Sequence, residues 1–178
     1  KNPLYFIVDS AQTAGCAEIN IQKCGIDALC SAGHKGLYGP QGSGFVIFGD
    51  KAASSADFLS TVIEGGSGIA SIDLNMPSTL PERFEAGTMS TPAIAALKKG
   101  IDFVKARGTE EIYAHECALG KRLTEMLTSV RNTKVYLPER IGGTVLFNFA
   151  DMSSEQLAGE LERAGICVRS GLHCAPLA

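Results

Sequence analysis

The sequence predicts an α/β fold in which part of a mostly parallel sheet is followed by a smaller α/β unit. The apolar run Tyr5–Val8 leads directly into Asp9, and such an unbroken run is typical of a strand buried on both faces of a parallel sheet. From Thr91 onwards the pattern predicts two helices, two strands, a helix and a strand, an order that suggests a separate compact unit. We therefore predict one domain at residues 1–98 and a second at residues 99–178.

Two further apolar runs, Ile26–Cys30 and Gly44–Phe48, predict short strands in the first domain. A glycine-rich segment around Lys35 separates them. Ligands of open α/β sheets gather at the carboxyl ends of the strands, so Asp9 and Lys35 are expected to meet at one edge of the sheet.

The Thr91 helix is predicted to begin with a capping threonine and a proline in its first turn, and to stop at Gly108. A second helix is predicted from Thr109. Apolar residues at helical spacing predict its buried side: Ile112, Leu119, Leu123, Met126 and Val130.

A capping box of Ser153 and Gln156 predicts a third helix that continues through Arg163. The chain around this helix contains three runs that resemble short strands. They are Lys134–Leu137, Thr144–Phe149 and Ile166–Val168.

The composition excludes several kinds of partner. The 178 residues carry a formal net charge of −3, and the basic residues are scattered among acids, so we expect no nucleic-acid partner. No apolar run reaches the length of a membrane span and no targeting segment is visible, so we expect no membrane partner and a cytoplasmic location.

The six cysteines form no Cys-x-x-Cys pair, and reduced thiols are therefore expected. Four of them, Cys16, Cys24, Cys30 and Cys117, have apolar or helical neighbours and are interpreted as small core residues. No metal site is expected, because the paired close spacing of zinc ligands is missing.

The pair of Lys35 and Asp9 indicates a specific chemistry. Lys35 lies among glycines and directly follows His34. A lysine amine that bonds an aldehyde and a carboxylate that pairs with a pyridine nitrogen are the two protein groups of a pyridoxal phosphate site. The sequence therefore predicts such a site.

Four ordered motifs carry a resemblance to a known family: Asp9-Ser-Ala-Gln12, Gly33-His-Lys-Gly-Leu-Tyr-Gly-Pro40, Arg83-Phe-Glu-Ala-Gly-Thr88 and Arg169-Ser-Gly-Leu-His-Cys-Ala-Pro176. Together they resemble the class V aminotransferase-fold enzymes that use pyridoxal 5′-phosphate, and the last is most similar to cysteine desulfurases and selenocysteine lyases. The resemblance implies the later part of the large cofactor-binding domain, followed by a truncated small domain.

Carried over by position, the resemblance implies five contacts with the cofactor. Lys35 forms the Schiff base and later moves protons at the substrate. Asp9 pairs with the ring nitrogen and Gln12 with the phenolic oxygen. His34 binds phosphate, and Thr88 reaches a phosphate across a subunit boundary, which implies a homodimer.

Ser31 is a further candidate for the phosphate, one position away from the serine of many relatives, where this chain has Ala32. Cys174 resembles the nucleophile that takes sulfur from the substrate as a persulfide. His173 and Arg169 are implied to contact the substrate or to offset the thiol proton, and Arg169 alternatively binds the substrate carboxylate.

The implied function is a cysteine desulfurase, which converts L-cysteine to alanine and passes sulfur to an acceptor protein. Another class V reaction stays open, namely transamination, selenocysteine lysis or β-elimination, with Cys174 as a bystander. A non-enzymatic dimerisation module is a third possibility. Only 34 residues precede Lys35, so we expect a fragment that lacks the N-terminal half, binds cofactor weakly and turns over little by itself.

Overall fold

The computed structural model describes residues 4–55, 58–69, 72–139 and 142–174. The chain divides into two compact units, Lys1–Ile112 and Tyr113–Ala178. Helices and strands occur in both units, which confirms the α/β class. The predicted domain limits, residues 1–98 and 99–178, stay a prediction for the complete protein.

A three-stranded sheet of order β1-β2-β3 organises the first unit. Its strands are β1 at Ile7–Asp9, β2 at Ala28–Ala32 and β3 at Gly44–Phe48, and β3 has the predicted bounds. β1 and β2 are parallel, whereas β2 and β3 are antiparallel. A short loop without a crossover helix connects β2 to β3, and such a connection gives an antiparallel pair.

β1 begins two residues later than predicted and is less buried than the apolar run indicates. Ile7 is 51% exposed, because β1 lies at the sheet edge among the described strands and pairs only with β2. The prediction of a strand buried on both faces is therefore wrong for this part of the chain.

The entry to β1 is held by a buried carboxylate at the start of β2. The backbone N–H of Phe6 donates to Asp27 Oδ2 over 2.7 Å, and Lys51 Nζ lies 3.5 Å from the same oxygen. The Phe6 carbonyl accepts the backbone N–H of Asp27 in return. These bonds fix the register in which Asp9 lies opposite Cys30.

One short helix lies between β1 and β2, and a second short helix and a 3₁₀ turn follow β3. α1, Ile21–Cys24, begins where the Asn20 side chain accepts the N–H of Lys23 and ends at Gly25, whose φ is 64°. α2 spans Asp50–Ala53, and a 3₁₀ turn spans Glu82–Phe84.

α3 spans Thr91–Arg107, with Pro92 in the first turn and Gly108 directly after the last residue, as predicted. Thr91 is the first helical residue, and Ser90 occupies the capping position without a side-chain cap bond. The prediction that Thr91 caps the helix is therefore wrong by one position.

The buried face of α3 packs on the glycine-rich loop that carries Lys35. Leu97 forms an apolar core with Ala14 and Leu37, and Phe45 and Ile101 pack against it. Gly100 lies on the same side of α3: a Cβ at this position would lie 2.1 Å from the carbonyl oxygen of Leu37. The helix backbone therefore lies directly against the loop.

α4 spans Thr109–Ser129, and the second unit begins within it. A two-stranded antiparallel sheet follows, with β4 at Thr133–Tyr136 and β5 at Leu146–Phe149. α5 spans Ser154–Arg163, and its Ser153–Gln156 capping box is present in both directions, which confirms that prediction.

Two predictions for the later part of the chain are wrong. Ile166–Val168 is not a strand, because these three residues pair with no strand in the described part of the chain. On α4, Ile112 is buried as predicted. The other residues of its predicted buried side are exposed: Leu119, Leu123, Met126 and Val130.

Free thiols are found at Cys24, Cys30, Cys117, Cys167 and Cys174. Cys24 is exposed, which contradicts its assignment to the core, and Cys16, Cys30 and Cys117 are partly buried. In the described ranges, no group of three or more His, Cys, Asp or Glu residues is placed to hold a metal ion. Among the residues that the structure describes, none of the helices combines the length and apolar character needed to cross a membrane.

The contact between α3 and the lysine loop predicts that alanine at Gly100 destabilises the protein, although alanine in place of glycine usually stabilises a helix. Gly100→Ala is expected to lower the free energy of unfolding of the full-length protein by about 1–3 kcal/mol, because its Cβ overlaps the Leu37 carbonyl. Gly159→Ala in α5 is the matched control, since no atom lies within 4 Å of its Cβ position. It is expected to raise the same quantity by roughly 0.5–1 kcal/mol. Urea unfolding of both variants measures this, and a stabilising Gly100→Ala would contradict the packing.

Candidate active site

The first element of the candidate site is Asp9, the last residue of β1. Its side chain is exposed, and Oδ1 accepts the backbone N–H of Ala11 over 2.8 Å. Oδ2 has no hydrogen-bond partner among the described residues. One oxygen of the carboxylate is therefore held by the backbone, and the other is available for a ligand.

The turn after Asp9 is fastened to β2 through Ser10, whose exposure is 0%. The carbonyl oxygen of Cys30 accepts both the backbone N–H of Ser10, over 2.8 Å, and the Ser10 hydroxyl, over 2.9 Å. The Ser10 carbonyl accepts the N–H groups of Thr13 and Ala14. Gln12 is exposed within this turn, three residues after Asp9.

The second element is the loop that carries His34 and Lys35, both of which are exposed. Its ends are joined where the N–H of Gly33 donates to the carbonyl of Ser43 over 2.8 Å. Within the loop, Tyr38 N–H donates to the Lys35 carbonyl over 3.0 Å. The described residues provide no hydrogen bond or ion pair for Lys35 Nζ, so none of the carboxylates among them engages the amine.

Two glycines bring these elements together. A Cβ on Gly15 would lie 2.0 Å from the carbonyl oxygen of Gly36, and a Cβ on Gly36 would lie 2.5 Å from the carbonyl oxygen of Ala14. No side chain fits at either position, and the residue after Lys35 therefore touches the turn that follows Asp9. The structure thus places Asp9, Gln12, His34 and Lys35 in the two segments that follow the carboxyl ends of the parallel strands β1 and β2.

Ser31 and Thr88 differ in how accessible they are to a ligand. Ser31 lies within β2, is 8% exposed, and its hydroxyl approaches the carbonyl oxygen of Ala32 at 3.4 Å. Thr88 is exposed in the loop before α3, where Gly87 N–H donates to the carbonyl of Gly66 over 2.7 Å. Their roles in binding phosphate stay predictions.

The second unit carries Arg169, His173 and Cys174 on one loop after α5, and all three are exposed. Cys174 is a free thiol. His173 has a φ of +55°, which is in the left-handed region that few side chains adopt. A non-glycine residue in this conformation, directly before a candidate nucleophile, is typical of functional loops.

Glu155, in the first turn of α5, lies close to the same loop: its Oε1 is 3.9 Å from the Cβ position of Gly171. The pKa of Glu155 is lowered, because its own backbone N–H donates to the carboxylate, as do the hydroxyls of Ser154 and Ser153. The loop therefore has a carboxylate that remains charged at neutral pH beside it.

Sequence reasoning missed Ser10 and the two contact glycines, Gly15 and Gly36. Ser10 directly follows Asp9 in the motif Asp9-Ser-Ala-Gln12, yet its complete burial is a property of the packed turn. The glycines are 21 positions apart, and a contact at that separation leaves no periodic signal. A positive φ of 98° at Gly15 is the local feature that explains why glycine is needed there.

Known proteins are similar to this chain in sequence and in fold. The family model of Aminotransferase class-V matches residues 1–178. A "Probable cysteine desulfurase" of Methanothermobacter thermautotrophicus is 33% identical over 173 residues, which are 96% of this chain and 43% of the relative. A second, from Halalkalibacterium halodurans, is 35% identical over 171 residues, 95% of this chain and 41% of the relative. The apo structure of cysteine desulfurase from Thermococcus onnurineus NA1 superimposes with a TM-score of 0.80 at 32% identity, over 97% of this chain and 43% of that one.

The fold and the family model define a class of pyridoxal-phosphate enzymes. The chain belongs to the aminotransferase class V family. It spans 43% and 41% of the length of the two curated relatives. Membership of the family implies pyridoxal 5′-phosphate as the cofactor.

The donor set at the sheet edge fits this cofactor. Lys35 offers an amine without an internal ion pair, and Asp9 offers a carboxylate oxygen without a partner in the described residues. Gln12 adds an exposed amide on the same turn. An amine, an acid and a neutral donor on one edge match the aldehyde, the ring nitrogen and the phenolic oxygen of pyridoxal phosphate.

The contact between Gly15 and Gly36 predicts that alanine at Gly15 disturbs both stability and cofactor binding. Gly25→Ala is the control, since Gly25 also has a positive φ but no atom lies within 4 Å of its Cβ position. Both Gly15→Ala and Gly25→Ala are expected to lower the free energy of unfolding by about 1–3 kcal/mol, because alanine is strained at a positive φ. Gly15→Ala is expected to cost about 1–3 kcal/mol more and to weaken cofactor binding. Urea unfolding and cofactor titration of the full-length protein measure this, and equal losses in both variants would refute the contact.

Proposed function

We propose that the complete protein is a pyridoxal-phosphate-dependent cysteine desulfurase that removes sulfur from L-cysteine and passes it to an acceptor. The observation that carries the proposal is that Asp9 and the loop of Lys35 follow the carboxyl ends of the parallel strands β1 and β2, in a chain that belongs to the aminotransferase class V family. The names of the relatives support the choice of reaction. The proposal includes a cytoplasmic homodimer and an acceptor protein for the sulfur.

Bound pyridoxal phosphate supplies an aldehyde that condenses with amines and a ring that withdraws electrons from the attached carbon. Lys35 would hold the aldehyde through its amine and, once released as a neutral amine, would move protons at the substrate carbons. Asp9 would keep the ring nitrogen protonated, since its carboxylate is fixed through Oδ1 and has a second oxygen without a partner in the described residues. Gln12 would donate to the phenolic oxygen and orient the ring.

The phosphate is held by a small set of polar groups around the lysine loop. His34 precedes Lys35 and presents its imidazole on the exposed side of the loop. Thr88 donates to the phosphate of the second copy, which makes the homodimer the working unit. Ser31 contributes only after a rotation of its buried hydroxyl away from the Ala32 carbonyl.

Cys174 is the sulfur acceptor of the reaction. Its thiolate forms a bond to the substrate sulfur as the carbon–sulfur bond breaks, so that one cysteine and one thiol give alanine and one enzyme persulfide. His173 takes the thiol proton, and Arg169 pairs with the substrate carboxylate through its planar guanidinium. Exposure of Cys174 suits transfer of the sulfur to a second protein.

Lys35→Ala is expected to abolish covalent attachment of the cofactor and to reduce turnover by at least about 100-fold, since Lys35 is the one lysine of the glycine-rich loop at residues 33–43. The measurement is borohydride reduction of the full-length protein, followed by peptide mass analysis for cofactor on the Lys35 peptide. Lys99→Ala, an exposed lysine of α3, is the control and is expected to retain both properties. Cofactor attached to a different lysine in the unmodified protein would refute the assignment.

Cys174→Ser is expected to lower alanine formation from cysteine on the order of 100-fold, because a hydroxyl does not replace the thiolate. The absorbance of the bound cofactor is expected to stay unchanged. Cys167→Ser, a second exposed thiol of the same unit, is the matched control with full activity. Full activity in Cys174→Ser would instead favour another class V reaction, in which Cys174 is a bystander.

A further inference from the structure

The turn that carries Asp9 and Gln12 depends on one fully buried hydroxyl. Ser10 has no exposed surface, and its hydroxyl and its backbone N–H converge on the Cys30 carbonyl oxygen, over 2.9 Å and 2.8 Å. Burying a hydroxyl without a partner is costly, so this bond selects the one backbone arrangement that satisfies it. The Ser10 side chain thus joins the turn after Asp9 to Cys30, the residue that pairs with Asp9 in the sheet.

We propose that Ser10 is a positioning residue that aligns the Asp9 carboxylate with the cofactor ring. The Asp9 side chain is oriented by the N–H of Ala11, the residue that follows Ser10. Any shift of the turn at Ser10 moves that N–H and with it the carboxylate oxygen left for the ring. This inference rests on the proposed use of pyridoxal phosphate.

The turn that the Ser10 hydroxyl fastens to Cys30 also reaches the lysine loop, through the backbone carbonyl of Ser10. The Ser10 carbonyl anchors the N–H of Ala14, and the carbonyl of Ala14 lies against Gly36, the residue after Lys35. Ser10 therefore fixes the turn between the acid and the contact with the lysine loop. A shift at Ser10 therefore changes the distance between the Asp9 carboxylate and the Lys35 amine, the two groups proposed to bind the cofactor.

The test uses Ser10→Ala in the full-length protein, because this change removes only the hydroxyl and leaves the Ser10 N–H on the Cys30 carbonyl. The cofactor dissociation constant, measured by titration of the cofactor-free protein, is expected to rise roughly two- to tenfold. Hydrogen exchange at the Ala11 amide is expected to become faster without cofactor. Thr128→Val, which removes a hydroxyl bonded over 2.8 Å to the Thr124 carbonyl, is expected to change neither.

A double-mutant cycle with Asp9→Asn separates positioning from a general loss of stability. If Ser10 acts through the charged carboxylate, Ser10→Ala is expected to change the dissociation constant less than about twofold in the Asp9→Asn background. An equal effect in both backgrounds, or no effect of Ser10→Ala in the unmodified protein, would overturn the inference. Absence of cofactor binding by the unmodified protein would instead overturn the proposed function, and the role of Ser10 with it.

Discussion

Contact between the backbones of Gly15 and Gly36 is the constraint on which the candidate site depends. It joins a turn at the end of one strand to the loop at the end of its parallel neighbour, and at either position a side chain would overlap a carbonyl group. Ala14 and Leu37, which adjoin these two glycines in the chain, pack in one apolar core with Leu97. Binding of a flat cofactor between an acid and an amine requires such a fixed separation, since both groups act only at hydrogen-bonding or bonding distance.

Local signals predicted the elements whose ends are set by their own residues. α3 stops at Gly108, and α5 begins at the capping box of Ser153, because capping and left-handed glycine are properties of a few neighbouring residues. Asp9 at the end of β1 follows from the apolar run before it. Burial was predicted less well: Leu123 on α4 has the spacing of a core residue, yet it is exposed, because spacing identifies an apolar face but not what covers it.

The candidate site was likewise predictable from the sequence only in part. The types of residue that bind the cofactor are visible in the sequence, since an amine among glycines and an acid after a strand are local features. The groups that hold them in place, Ser10 and the contact of Gly15 with Gly36, depend on contacts between segments far apart in the chain. A single sequence therefore reveals which residue types carry the chemistry of the site, but not the contacts that hold those residues in place.

The left-handed backbone at His173 has a consequence for which sequences this loop tolerates. Asparagine, aspartate and glycine adopt such a conformation at little cost, whereas valine, isoleucine and threonine are strongly disfavoured by the branch at Cβ. Natural variation at this position is therefore restricted by backbone geometry as well as by the imidazole. Two replacements that both remove the ring, one compatible with the turn and one not, need not have the same effect on Cys174.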